Sequence, residues 1–169
     1  MKIIYFPGFG GNQNSETFKS ILYKFSESKA IIYDNVNAEN AFQQIQKQIK
    51  NQLSAKPLII GQSLGGFWAE YFAITYNLNL ILINPSIEPY ESLKKYNLSS
   101  SELNSFRKFE SNEYVKSKIS IILSKNDTVV NPKSILEKYK KIVKFIYVEG
   151  DHKFTDFDLL ISEIEKMID

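Results

Sequence analysis

A serine, a histidine and a carboxylate occur in this chain in the order and local settings that nucleophilic acyl chemistry requires. The serine lies in Gly61-Gln62-Ser63-Leu64-Gly65, a G-x-S-x-G pentapeptide. It follows the apolar run Leu58-Ile59-Ile60 and leads into Phe67-Trp68-Ala69-Glu70-Tyr71-Phe72-Ala73, which reads as a helix. Between a strand and a helix this motif forms a sharp turn that lifts the serine above the sheet, and the flanking glycines let the turn close. The serine then sits at a helix N-terminus, whose N–H groups favour developing negative charge.

A serine hydroxyl is a weak nucleophile and needs an oriented base. In a strand–elbow–helix architecture the chain order is nucleophile, acid, histidine. Asp127 follows the apolar run 119–124, and His152 follows the run 144–149 within Glu-Gly-Asp-His-Lys-Phe. Past strand ends of a parallel sheet, both emerge on the same edge as Ser63. Asp151 and Glu149 are rival acids. As sequence neighbours of the histidine, they are poorly placed to turn back onto an imidazole that faces a distant serine. Asp127 is the better assignment.

Stabilising a tetrahedral oxyanion takes two N–H donors. The Leu64 backbone amide is one, and the loop Pro7-Gly8-Phe9-Gly10-Gly11-Asn12 supplies the other. Phe9 N–H is the natural donor there, with Gly8 permitting close backbone approach and Gly10 as the rival. The loop is a poor nucleotide-binding fingerprint. Counted from Gly8, the third glycine of G-x-G-x-x-G falls at Gln13, and no Gly-Lys-Ser/Thr follows. Gln62, Phe67 and Tyr90 join Gly8 and Phe9 as candidate substrate contacts, although Phe67 and Trp68 at helical spacing read equally well as core.

The positions of these residues depend on the elements between them. Apolar runs at 2–6, 30–34, 57–60, 80–84, 119–124 and 144–149 are continuous rather than alternating, as when helices cover both faces of a parallel sheet. Helical stripes intervene: Phe18, Ile21, Leu22 and Phe25; then Phe42, Ile45, Ile49 and Leu53; finally Phe157, Leu160, Ile161, Ile164 and Ile168. The alternation predicts one three-layer α/β domain of about six mostly parallel strands. Residues 85–118 break the rhythm. This stretch carries Tyr90, Tyr96, Phe106, Phe109 and Tyr114, and fits either a small lid of short helices or a crossover that merely covers the sheet.

Composition narrows the chemistry. The 169 residues contain no cysteine and one histidine, which removes thiol catalysis, disulfide scaffolds and multi-histidine metal sites. No metal or cofactor is expected. A net charge of +2, with Arg107 the sole arginine, argues against nucleic-acid binding. The lysines at 138, 140, 141 and 144 read as a solvated face. The N-terminal apolar run stops at Pro7, too short for a signal-peptide core, and no run is long enough to span a membrane. A cytoplasmic protein is expected, with nothing that specifies its oligomeric state.

Four segments together resemble the small α/β-hydrolase esterases of the YqiA type, nearly end to end. They are Pro-Gly-Phe-Gly-Gly at 7–11, Gly61-Gln62-Ser63-Leu64-Gly65-Gly66, Asn84-Pro85-Ser86 with Pro89-Tyr90-Glu91, and Gly150-Asp151-His152-Lys153-Phe154-Thr155. The resemblance implies a hydrolase without a large cap domain, acting on short acyl esters or thioesters. It carries nucleophile, acid and base onto Ser63, Asp127 and His152. The family's usual His-Gly after the first strand is Pro7-Gly8 here, which leaves the main-chain donor role intact. A peptidase or transacylase with the same triad, and a non-catalytic interaction module, are the alternative readings. A serine mechanism in this chain has one imidazole to draw on. His152→Ala is therefore expected to lower turnover of an acyl substrate about 10⁴-fold or more, measured by steady-state kinetics. Substantial remaining activity would contradict the assignment.

Overall fold

Six short apolar strands form one parallel sheet in the order β2-β1-β3-β4-β5-β6. The computed structural model describes residues 2–168. The strands are β1 (Ile3–Phe6), β2 (Lys29–Ala30), β3 (Leu58–Gln62), β4 (Leu80–Ile83), β5 (Ile119–Ser124) and β6 (Ile146–Val148). Every adjacent pair is parallel. The main helices are α1 (Glu16–Lys24), α2 (Ala38–Ile49), α3 (Leu64–Tyr76), α6 (Lys133–Tyr139) and α7 (Phe157–Ile168), with short α4 (Pro89–Ser92) and α5 (Ser100–Ser105) in the long connection.

Strand side chains alternate between two cores. Ile4, Phe6, Ile59, Leu80, Leu82, Ile121 and Leu123 pack on the face covered by α2, α3 and α6. Ile3, Tyr5, Leu58, Ile60, Ile81, Ile83, Ile122 and Val148 pack on the face covered by α1 and α7. Burial on both faces is what makes the strands read as unbroken apolar runs. The result is the three-layer architecture expected from the sequence, with no large cap. No described helix is long and apolar enough to cross a membrane.

The register fixes where the site lies. Phe6 pairs with Gly61, and Gln62 with Ile83, so the C-terminal ends of β1, β3 and β4 stand side by side. Strand order reverses between β1 and β3, the point at which a parallel sheet opens a crevice. Helix α3 starts so close to β1 that a Cβ on Gly65 would lie 2.0 Å from the Phe6 carbonyl oxygen.

Three expectations are revised. The run 30–34 forms a strand only at Lys29–Ala30. Ile31 N–H still bonds the Tyr5 carbonyl, but beyond it Gln48 on α2 takes both the N–H and the carbonyl of Ile32, and Gln44 takes Asp34 N–H. Helix side chains thus blunt a sheet edge. Leu22, assigned to the α1 stripe, is exposed. Lys138 does not belong to a solvated face: it turns inward to Glu70 (3.1 Å) and to the Ser111 carbonyl (2.8 Å). Burial raises the Glu70 carboxyl above its ordinary pKa despite that lysine.

The 85–118 connection has two parts. Phe106 and Phe109 are buried against α2 and α3 and belong to the core. The earlier part, α4 with the 3₁₀ turn Lys94–Tyr96, borders the loops that follow β4 and β5, at Ser86 and at Thr128–Val130. At the elbow, Gly65→Ala is expected to destabilise the fold by about 3 kcal/mol through overpacking against backbone that has no room to move. Urea unfolding should show a lower midpoint at unchanged slope. An unaltered midpoint would contradict the contact.

Candidate active site

Ser63 follows the last residue of β3 and adopts φ 52°, ψ −123°, a conformation that costs a non-glycine residue about 1–3 kcal/mol. Three backbone hydrogen bonds hold it. Its N–H donates to Ile83 (3.0 Å), and its carbonyl accepts from Gly66 (2.8 Å) and Ser86 (2.9 Å). Gly8 lies against the serine, where a Cβ would be 3.0 Å from Ser63 Cβ and 3.6 Å from Oγ. A side chain there would crowd the hydroxyl.

His152 reaches back across 89 residues to Ser63, with Nε2 and Oγ 2.9 Å apart. Its Nδ1 lies 2.7 Å from Asp127 Oδ2. The imidazole is 21% exposed and the carboxylate 9%, so the pair meets solvent mainly through the histidine. The other Asp127 oxygen accepts N–H bonds from Val129 (2.8 Å) and Val130 (3.1 Å), which fix the carboxylate plane. Burial pushes the Asp127 carboxyl up, but bonds from His152, Val130 and Val129 outweigh it and hold its pKa below the ordinary value. The rival acids point elsewhere. Glu149 pairs with Lys125, and Asp151 accepts the Lys153 N–H.

Among the described residues, neither Leu64 N–H nor Phe9 N–H has an acceptor. Gly10 N–H, the rival donor, is bound by the Asn35 side chain. The remaining candidates are not gathered at the serine. Gln62 is held from below, its Oε1 accepting from Tyr5 OH at 2.6 Å. Phe67, 3% exposed, packs between Trp68 and Phe106. Tyr90 lies 3.7 Å beneath the Arg107 guanidinium and donates to Glu88. Both aromatics line a cavity of about 410 Å³ on the flank of α3 whose wall includes neither Ser63 nor His152. Another cavity, of about 740 Å³, is bordered by Ser86, Ser92, Lys95, Thr128, Val129 and Val130; it lies beside the loop that carries Asp127, and its wall too includes neither Ser63 nor His152.

Asn84 has a role that sequence reasoning missed. Buried, with φ 43°, it donates to Ser124 Oγ (2.9 Å) and to the His152 carbonyl (3.2 Å) and accepts the Ser124 N–H (2.7 Å). It ties the ends of β4 and β5 to the histidine loop. The sequence signals were its place in the Asn84-Pro85-Ser86 segment and at a strand end, where asparagine is among the non-glycine types that tolerate positive φ. Among the described residues no group of three or more histidine, aspartate or glutamate side chains gathers as a metal site.

The model of the uncharacterised protein family UPF0227 matches residues 2–169. The chain belongs to that family. The UPF0227 protein YcfP of Escherichia coli K12 is 25% identical over 178 residues, spanning 96% of each chain. This agrees with the expected kinship to small YqiA-type proteins. Among solved structures, mouse alpha/beta hydrolase domain-containing protein 10 superposes with a TM-score of 0.82 at 17% identity, covering 99% of this chain and 89% of that one. A putative hydrolase from Agrobacterium vitis gives 0.80 at 13% identity over 99% and 88%. Est1E from Butyrivibrio proteoclasticus gives 0.77 at 13% over 99% and 86%. This UPF0227 chain therefore has the α/β-hydrolase fold.

The lowered Asp127 pKa sets a sign for stability against pH. A depressed carboxyl stabilises the fold above its unfolded pKa of about 3.9, and that contribution disappears as pH falls through the lower folded value. The stability advantage of wild type over Asp127→Asn is expected to shrink as pH falls below about 4, read from chemical unfolding at a series of pH values. An advantage that grew on acidification would contradict the assigned hydrogen bonds.

Proposed function

We propose that this protein is a serine hydrolase that cleaves small carboxylic esters or thioesters through an acyl-enzyme on Ser63. What carries the reading is the unbroken series from Ser63 Oγ to His152 Nε2 and from Nδ1 to Asp127. Ser63 attacks the acyl carbonyl while His152 takes the hydroxyl proton. Asp127 holds the imidazole in the tautomer that accepts at Nε2 and stabilises the imidazolium. The developing oxyanion accepts from the Leu64 and Phe9 amides. Collapse expels the alcohol or thiol, which takes its proton from His152. Water, deprotonated by the same imidazole, then attacks the acyl-serine, and collapse releases the acid as His152 returns the proton to Ser63 Oγ.

The chain acts in this reading as a single domain, with the first part of 85–118 as its small lid. Solved relatives in fold include Est1E with ferulic acid bound and the lipolytic enzymes LipS and LipT. The lipase and esterase families named with LipS and LipT support an ester substrate in this reading.

A fluorophosphonate probe is expected to label wild type and to spare Ser63→Ala. Turnover of a graded acyl series, with ester, thioester and amide members and an acceptor alcohol, identifies the preferred bond. Asp127→Asn should lower kcat about 10³–10⁴-fold. Wild type left unlabelled beside a reactive control hydrolase would leave the non-catalytic module standing instead. A preference for amide or for alcohol acceptors would shift the reading to peptidase or transacylase.

A further inference from the structure

The β1 loop is pinned by hydrogen bonds everywhere except at the residue assigned to catalysis. The Pro7 carbonyl accepts from Tyr33 OH, the Gly8 carbonyl from Gly11 N–H at 2.9 Å, and Gly10 N–H bonds the Asn35 side chain. Phe9, between them, makes no backbone hydrogen bond among the described residues. Its ring packs partly on the core and partly on Tyr96, with the Phe9–Tyr96 centroids 4.1 Å apart and planes 14° from parallel, a close stack by the standard of aromatic pairs. Tyr96, 42% exposed, covers the side of the Phe9 ring that the core leaves open.

Tyr96 comes from the lid, on the 3₁₀ turn Lys94–Tyr96, and that turn is itself anchored. Leu93, just before it, is 2% exposed in the core. Ser92 Oγ bonds Ser86 Oγ, and Ser86 N–H bonds the Ser63 carbonyl. On the other side Lys95 donates to the Val129 carbonyl at 3.4 Å, within the loop whose N–H groups hold Asp127. One three-residue turn thus touches both the oxyanion loop and the acid loop, with Ser63 between them.

We propose that Tyr96 is a positioning residue that, by stacking on Phe9, holds the Phe9 N–H in register with the oxyanion formed at Ser63. The inference rests on the hydrolase reading above. Alignment of that donor matters only once charge has developed on the substrate oxygen, so its loss is felt in the transition state rather than in ground-state binding. The stack needs the ring and not the hydroxyl.

Steady-state kinetics on p-nitrophenyl acetate, with a boronic acid inhibitor as transition-state mimic, test this. For Tyr96→Ala, kcat is expected to fall about 10–100-fold with KM within about twofold, and the boronic acid Ki to weaken in parallel. Tyr96→Phe is expected to restore both. The Phe9→Ala/Tyr96→Ala double variant should be no worse than the poorer single variant, because both remove one contact. A kcat within about threefold of wild type for Tyr96→Ala, a rise confined to KM, or fully additive losses would overturn the proposal while leaving the hydrolase reading intact. Should Tyr96→Ala fail to fold, Tyr96→Leu carries the same comparison, with a kcat loss that Tyr96→Phe does not share as the supporting result. Wild type without turnover or fluorophosphonate labelling at Ser63 would instead sink the hydrolase reading itself.

Discussion

Ser63 occupies a backbone conformation that its side chain disfavours, and much of the surrounding structure supplies what keeps it there. The strain is local, but its supports are not. The serine N–H bonds the end of β4, its carbonyl bonds Gly66 and Ser86, and the helix that follows presses glycine against the Phe6 carbonyl. Ile83 and Ser86 come from the end of β4, the Phe6 contact from β1 and the Gly66 bond from the turn itself, so the turn exists only when β1, β3 and β4 are in register. A strained residue persists where its neighbours over-determine it, as they do here.

The same logic extends to the histidine. His152 sits on a loop after the short edge strand β6, a setting with little rigidity of its own. Asn84, itself at positive φ, grips the His152 carbonyl and the Ser124 N–H and hydroxyl, so the loop inherits the order of two inner strands. Asp127 is fixed separately by Val129 and Val130 amides. In the proposed reaction the imidazole is therefore oriented from both ends. Its ring nitrogen is held by the carboxylate, and its main chain is held by a buried amide.

Much of this was legible in the amino-acid sequence, for identifiable reasons. The four inner strands read correctly because burial on both faces favours apolar residues, while the run 144–149 narrows at the sheet edge to Ile146–Val148, where Tyr147 is exposed. The other edge run is 30–34, where the apolar pattern is real but Gln44 and Gln48, lying on a helix, take the backbone groups a longer strand would use. Phe67 and Trp68 were ambiguous because helical spacing marks a buried stripe without saying what it faces. Lys138 was misjudged because a lysine among lysines looks solvated until a buried Glu70 is found beside it, 68 residues away.

Local order and residue type determined the Ser63, Asp127, His152 order on which the proposed mechanism rests, the glycines around Ser63, the single imidazole and the three-layer class. These depend on short-range sterics and on hydrophobic periodicity, both of which are written along the chain. Tertiary structure decided matters that turn on contacts between distant segments. Asn35 occupies the Gly10 amide while, among the described residues, that of Phe9 has no acceptor; Phe67 faces the core; Tyr96 comes to rest on Phe9 from far along the chain. Such contacts follow from strand register and from how the long connection packs, and neither has a local signature because the partners share no sequence neighbourhood.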